Sequence, residues 1–449
     1  MRKVRNFFTG RLFPTLLLLL LFAAAFAFFA LRLPVALAPF AAAERLFSFG
    51  VGIWVAGEDN LFENKTAKLL LLLLLPYTGA VLCLCMQKRR AGEAMRPVET
   101  AADAAEYFSE GADAFGRLLA DLKSAQTSIY LEFYIIAQGV LWQSVLAVLR
   151  EKAQAGVDVR VIYDDFGCAL TLPRKYFKTL EAAGIRCRVF RPVRPSRRAS
   201  LRDHRKIAVI DGSVAYTGGV NLADEYVGKQ IRFGHWKDAA VRVTGSAAKA
   251  FEGLFLQTFG TNPAQDAKSS AGGKIPCTVF ADRADDSPRA GIKTIVSLVR
   301  GAKQRLWLFT PYLSPDGELL YALKAAAQDG ADVRIAVPHL PDKKSVFLLT
   351  RHYARKLEEY GVRVREYEAG FLHAKNIVSD GDAAVSSYNL DFRSMRLQAE
   401  CGVVVHDKTF ADAVAADFEA TWNLSAPTPP ATRRERFLVS FLKLFAPLA

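Results

Sequence analysis

The sequence is poor in the residues that build covalent staples and metal centres, with six cysteines and six histidines among 449 residues. No two cysteines form a CxxC pair and no histidine stands at zinc-ligand spacing beside one, so neither a disulfide framework nor a zinc site is supported. Cys83, Cys85, Cys168, Cys187, Cys277 and Cys401 are expected to be reduced residues facing a cytosolic compartment. Acidic residues are in deficit, 45 against 59 Lys and Arg, which leaves a net charge of +14. That excess predicts an anionic partner such as nucleic acid, a phosphate substrate or an acidic lipid surface, without choosing among them. The 51% hydrophobic content excludes a disordered chain.

Charge is absent altogether from two stretches near the N-terminus. Residues 12–31 are dominated by Leu, Ala and Phe, and about twenty apolar residues are what a helix needs to cross a bilayer. Residues 69–87 contain seven consecutive leucines before Pro76, which a membrane helix tolerates. Two transmembrane helices are therefore expected within a membrane anchor at 1–95. Segment 33–57 is also apolar, but Glu44 and Arg45 interrupt it, and it is expected to be interfacial or re-entrant. Arg2, Lys3, Arg5 and Arg11 precede the first span and Lys88, Arg89, Arg90 and Arg96 follow the second, while Glu44, Glu58, Asp59 and Glu63 lie between. The positive-inside bias then places the remainder of the chain on the cytoplasmic side of the cell membrane.

Beyond Glu106, short apolar runs alternate with amphipathic stretches, the pattern of an α/β fold. Strands are expected at Ser128–Ile135, Val157–Asp165 and Ile185–Phe190, with a helix over Leu141–Ala155. The order recurs at Arg305–Tyr312, Leu319–Gln328, Ala331–Pro338 and Val362–Tyr367. Gly156 and Gly330, Gly184 and Gly361, and His204 and His373 stand 169 to 177 residues apart, a repeat the size of a domain. The domains are expected at 106–262 and 276–425, with the Ala/Lys/Ser/Gly-rich stretch Pro263–Ile275 between them.

Each half carries one HxKxxxxD motif: His204, Lys206 and Asp211 in the first, His373, Lys375 and Asp380 in the second. On a strand, the His and Lys of a motif share a face. Two such faces related by a pseudo-twofold would present two imidazoles and two ammonium groups to one phosphate. Phosphoryl transfer needs a nucleophile, an acid for the leaving oxygen and positive charge around phosphorus. One His supplies the nucleophile, forming a phosphohistidine, and the other the acid, while the lysines replace a divalent cation. With no carboxylate cluster of metal-site type near either motif, no metal and no cofactor are expected. Small-residue turns follow each motif, and Gly219 with Asn221 and Ser387 with Asn389 are candidate phosphate-binding groups. Asp238 and Glu400 are candidates to orient the histidines through their far nitrogens.

At these residues the sequence resembles the phospholipase D superfamily and, within it, the bacterial cardiolipin synthases. The resemblance is carried by LEFYII (Leu131–Ile136), GVDVRVIYDDFG (Gly156–Gly167), LRDHRKIAVIDG and YTGGVNLADEY (Leu201–Tyr226), TPYLSPD (Thr310–Asp316), GFLHAKNIVSDG and SSYNLDFRS (Gly370–Ser394), and the membrane segment Asp59–Gly79. It implies two phospholipase D-like domains, each a mixed sheet flanked by helices. It also implies transfer of a phosphatidyl group from one phosphatidylglycerol to another, giving cardiolipin and glycerol, with His204 as nucleophile and His373 as general acid. Ser386, where the family usually has Gly, and Gln138, in place of an acid, depart from the pattern. The expected partners are phosphatidylglycerol and anionic membrane lipids, with no nucleic acid. Residues 432–449 combine Arg433, Arg434, Arg436 and Lys443 with Phe437, Leu438, Phe441, Leu442, Leu444 and Phe445, as an amphipathic helix on an anionic bilayer or against the core would. A phospholipase D passing the group to water or another alcohol, a tethered nucleic-acid phosphodiesterase, and a lipid-binding scaffold of the same fold are the competing readings.

Overall fold

The computed structural model describes residues 95–193, 201–229, 233–261, 273–284 and 289–442, with Phe47, Val51, Gly79, Ala80 and Cys83. The expected spans at 12–31 and 69–87 and segment 33–57 lie outside the described residues, these few positions excepted. Among the described residues, no helix is long and apolar enough to cross a membrane. The chain divides into two units, and the fold below is that of the unit formed by Ala91–Pro192 and Leu201–Val439.

The first half builds a seven-stranded mixed sheet. Its labelled strands are β1 (Ser128–Phe133), β2 (Asp158–Asp164), β3 (Lys206–Ile210), β4 (Val214–Gly218) and β6 (Ala240–Thr244), while β5 (His235–Lys237) stands apart from it. The order is Ala105–Phe108, β6, β4, β3, β1, β2, Arg186–Phe190, and helix α1 (Ser246–Phe259) follows. β1 and β2 run parallel because helix Val140–Gln154 returns the chain between them. β1 is buried at every position, Ser128 and Glu132 included, while β2 alternates at Asp158–Val161 before a fully buried end, as strands covered on both faces do.

The second half repeats the plan with β7 (Ile275–Asp282), β8 (Arg305–Phe309), β9 (Asp332–Pro338), β10 (Gly370–Leu372), β11 (Asn376–Ser379), β12 (Asp382–Ser386) and β13 (Gln398–Val405). Helices α2 (Phe392–Leu397) and α3 (Lys408–Asn423) are each capped by a side chain, Asp391 accepting from Ser394 N and Asp407 from Phe410 N. Strand Val98–Ala102, which precedes the first sheet in sequence, pairs with β7 at the edge of the second.

The halves share a core. Val209, Val241 and Val243 of the first sheet join one apolar cluster with Val279, Val403 and Val405 of the second, Phe251 and Phe255 of α1, and Phe410 and Phe418 of α3. Each half keeps a further cluster of its own on its outer face. The strands stop short of the sequence expectation at Phe133 and Phe309, where the chain turns toward the junction of the halves. Helix Arg433–Leu442 falls in the expected C-terminal segment; Glu435 in its first turn lies 3.8 Å and 3.7 Å from Arg351 and Arg355, and Phe437 is 77% exposed.

Candidate active site

Both motifs sit where the halves meet, and each is stitched to the opposite half by its backbone. Arg202–Asp203, just before His204, pairs parallel with Gln398 and Ala399 of β13, and His204 N donates to Ala399 O at 2.9 Å. β10, just before His373, pairs parallel with β5, and His373 N donates to Lys237 O at 2.7 Å. The histidines therefore precede strands β3 and β11 rather than lying on them, because their N–H groups serve the inter-domain pairing.

This stitching exchanges the orienting acids. Glu400 on β13 lies 3.0 Å from His204 Nδ1, and Asp238 after β5 lies 2.7 Å from His373 Nδ1. Each imidazole is completed by the other half, and each keeps Nε2 for chemistry. Lys206 Nζ donates to His204 O at 2.5 Å, and Lys375 Nζ donates to His373 O. Lys375 Nζ is also 2.9 Å from His373 Nδ1, where the Asp238 carboxylate takes the ring proton. All six side chains are buried. Gly219 makes room for Asp238, since a Cβ there would fall 1.9 Å from Asp238 Oδ1.

Burial dominates the electrostatics. It pushes the His204 imidazole well below its usual value, helped by Lys206, Lys375 and Lys343. It pushes His373 to about 3, helped by Lys375 against the pull of Asp238. Desolvation lowers Lys206 to about 8 and Lys375 to about 7. The acids diverge. Burial raises Glu400 to about 7 despite Lys206 and hydrogen bonds from Ser387 and Ser394. For Asp238 burial acts upward too, but His373 and Lys375 outweigh it and hold the carboxyl below its ordinary value. A phosphodiester between the histidines brings a negative charge that raises every one of these groups, recharging the lysines and favouring an imidazolium.

The structure does not bring Asp211 and Asp380 to this site, a correction to their place among the catalytic candidates. Each stands five residues past its lysine, about 17 Å along an extended strand. Asp211 accepts from Gln126 N, Thr127 N, Thr127 Oγ1 and Ser128 N, and Asp380 accepts from Lys303 N, Gln304 N and Arg305 N. Both adopt positive φ, +52° and +50°, in the turn that closes a hairpin. They tie the strand ends.

The phosphate-turn candidates also divide. Gly219 N already donates to Ala239 O and Ser387 N to Cys401 O, while Ser387 Oγ donates to Glu400, so these donors are committed within the protein. Asn221 accepts from Ile135 N and gives one N–H to Tyr226 Oη, which leaves its second N–H. Asn389 is buried with its Oδ1 unpartnered. The Ser386 hydroxyl donates across the hairpin to Lys375 O at 3.3 Å and accepts from Tyr388 N in its own turn.

Sequence reasoning missed Ser394, whose hydroxyl donates to Glu400, and the rings that wall the histidines. Tyr134 packs at 4.9 Å from His204, while Tyr226 and Trp236 lie 5.3 Å and 5.5 Å from His373. Ser394 in SSYNLDFRS, Tyr134 in LEFYII and Tyr226 in YTGGVNLADEY stand in the runs that carry the resemblance, which was the available signal. Among the described residues no group of three or more His, Cys, Asp or Glu is arranged to hold a metal ion.

Two like α/β domains, each lending the other the acid that completes a His-Lys pair, define a phospholipase D-like protein. Residues 118–244 and 295–422 both match the family described as "Cardiolipin synthase, PLD-like domain". The chain belongs to that family. It is 36% identical over 362 residues to an uncharacterised protein of Streptococcus mutans, covering 76% of this chain and 78% of that one. It is 36% identical over 338 residues to a cardiolipin synthase of Geobacillus kaustophilus, covering 72% of this chain and 66% of the relative. A cardiolipin synthase of Listeria innocua is 36% identical over 319 residues, 68% of this chain and 65% of its own. Among solved structures, the phosphatidylserine synthase of Haemophilus influenzae superposes with a TM-score of 0.61 over 79% of this chain and 95% of that one; at 16% identity it shows the fold alone.

Proposed function

We propose that this chain is a cardiolipin synthase that moves a phosphatidyl group from one phosphatidylglycerol to another and releases glycerol. The observation that carries the reading is the reciprocal pairing of His204 with Glu400 and His373 with Asp238 around two buried lysines. His204, its Nδ1–H held by Glu400, attacks phosphorus through Nε2. The P–O bond to glycerol breaks as His373, protonated when the phosphate binds, gives its Nε2 proton to the departing oxygen. His373 then takes the proton from a primary hydroxyl of the second phosphatidylglycerol, whose oxygen displaces His204 from phosphorus. Lys206, Lys375 and the remaining N–H of Asn221 stabilise charge on the phosphoryl oxygens. Asp238 and Glu400 fix the tautomers.

The reading includes a membrane anchor at 1–95 with spans at 12–31 and 69–87, catalytic domains at 106–262 and 276–425 on the cytoplasmic side, and a C-terminal segment at 432–449 on the bilayer. The test is detergent-purified full chain with radiolabelled phosphatidylglycerol and a chelator. Cardiolipin with one glycerol per product is expected, and phosphatidic acid alone would overturn the transferase reading in favour of a hydrolase.

A further inference from the structure

Cations packed around the site are nearly all committed. Arg202 pairs with Asp164, Arg205 with Glu132, Arg289 with Asp282, Arg396 with Asp316 and Lys237 with Asp417. Two are not. Lys343 and Arg393 make no salt bridge among the described residues; both act on the buried Asp391 at the start of α2, and Lys343 acts on His204 as well.

Their placement follows from the second half's loops. Lys343 lies in the loop after β9, with its Nζ over the Tyr312 ring at 5.1 Å, and the neighbouring Asp342 accepts from Tyr312 Oη. Tyr312 is held beside the turn after Asn389, because Thr310 Oγ1 donates to Tyr312 O and accepts from Leu390 N, while Leu313 and Ser314 pair with Leu390 and Asp391. Arg393 opens α2, and the next residue, Ser394, donates to Glu400, which in turn holds His204. The electrostatic influence of Lys343 reaches His204 and that of Arg393 reaches Tyr134, whose ring packs on His204. On the other side, His373 meets the rings of Tyr226, Trp236 and Phe371 instead. The His204 side of the site thus carries one packed ring and the influence of two cations without a salt bridge, whereas the His373 side carries three rings.

We infer that Lys343 and Arg393 form a second anion subsite that takes the phosphate of the acceptor phosphatidylglycerol. The inference rests on the transferase reading above. That reaction brings two phosphodiesters into one site, and the central lysines serve only the one being transferred. The acceptor's own phosphate, a glycerol away from the attacking hydroxyl, needs its own neutralisation. Otherwise like-charge repulsion disfavours the second lipid against water, which carries no charge. The subsite therefore sets the choice between synthesis and hydrolysis rather than the rate of forming the phosphohistidine.

Full-length Lys343→Gln, Arg393→Gln and the double variant separate the two steps. The measurements are cardiolipin and phosphatidic acid formed per glycerol released, and exchange of labelled glycerol into phosphatidylglycerol, in which the acceptor is neutral. We expect the double variant to lose about tenfold or more in its ratio of cardiolipin to phosphatidic acid, about 1.4 kcal/mol, while glycerol exchange falls by no more than about threefold. Lys343→Arg with Arg393→Lys restores the ratio. An unchanged ratio, or exchange and cardiolipin falling together in the double variant, overturns the subsite. Cardiolipin absent from the wild-type reaction overturns the transferase reading itself, and the subsite with it.

Discussion

Asp238→Asn and Glu400→Gln remove the same kind of group from the two sides of the site, yet their consequences differ because their ionisation differs. Asp238 is held below the ordinary carboxylate range, so it is charged throughout pH 6–8. Its hydrogen bond to the buried His373 is 2.7 Å. A hydrogen bond to a charged group contributes about 1.5–3 kcal/mol, or about 10- to 150-fold in rate, and loss of tautomer control at a catalytic histidine extends such effects toward 10⁴. We therefore expect Asp238→Asn to lower kcat by on the order of 10²–10³, equally at pH 6 and pH 8. Glu400 is raised to about 7, so its carboxylate form is lost as pH falls through that value. One pH unit either side, its ionised fraction goes from about one tenth to about nine tenths. Glutamine mimics the protonated acid, so Glu400→Gln should approach wild type at pH 6 and fall about an order of magnitude further behind at pH 8. Initial rates of cardiolipin formation at subsaturating labelled phosphatidylglycerol, where the ionisation of the free enzyme governs kcat/KM, measure this directly at both pH values. Parallel pH dependence of the two variants, or an Asp238→Asn enzyme within about tenfold of wild type, would refute the asymmetry.

Further outcomes follow from the same geometry. Lys375, lowered to about 7 by burial, loses its proton as pH rises, so kcat/KM should decline on an alkaline limb near that value, and the limb of kcat should lie higher because bound phosphate restores the charge. Stopped-time assays across pH 5.5–9.5 separate the two limbs. Asp211→Ala should cost about 2 kcal/mol in stability by freeing the turn donors it holds, while the folded enzyme keeps kcat within about twofold, as thermal unfolding and assay of the same sample would show. Lys375→Met should lower kcat by about 10²–10³, since a preorganised cation is lost from a water-poor site. A chelator should leave turnover unchanged, because two ammonium groups already surround the phosphate; restoration of lost activity by a divalent cation would contradict that.

The repeat was legible because the two halves have the same pattern of glycines and motifs at domain-sized spacing, and alternating strand and helix periods follow from it. The histidines and lysines were legible for the same reason. What local pattern did not reveal is which acid serves which histidine. Asp238 lies 34 residues past His204 but orients His373, because only the folded β5–β10 and β13 pairings exchange them. Asp211 and Asp380 share the motif, yet their positive φ and their bonds to the start of a neighbouring strand give them an architectural task. Gly219 has the small size a phosphate turn needs, but its missing Cβ accommodates Asp238.

The central claim is that two half-sites act in sequence on one phosphate through a single phosphohistidine. The most direct measurement is mass spectrometry of His373→Asn and His204→Asn enzymes quenched after incubation with phosphatidylglycerol. The account predicts a phosphatidyl adduct on His204 that builds up when His373 is replaced, and no adduct anywhere when His204 is replaced. Adducts on His373 would reverse the roles of the two histidines, and turnover without any adduct in the wild-type enzyme would contradict the covalent mechanism.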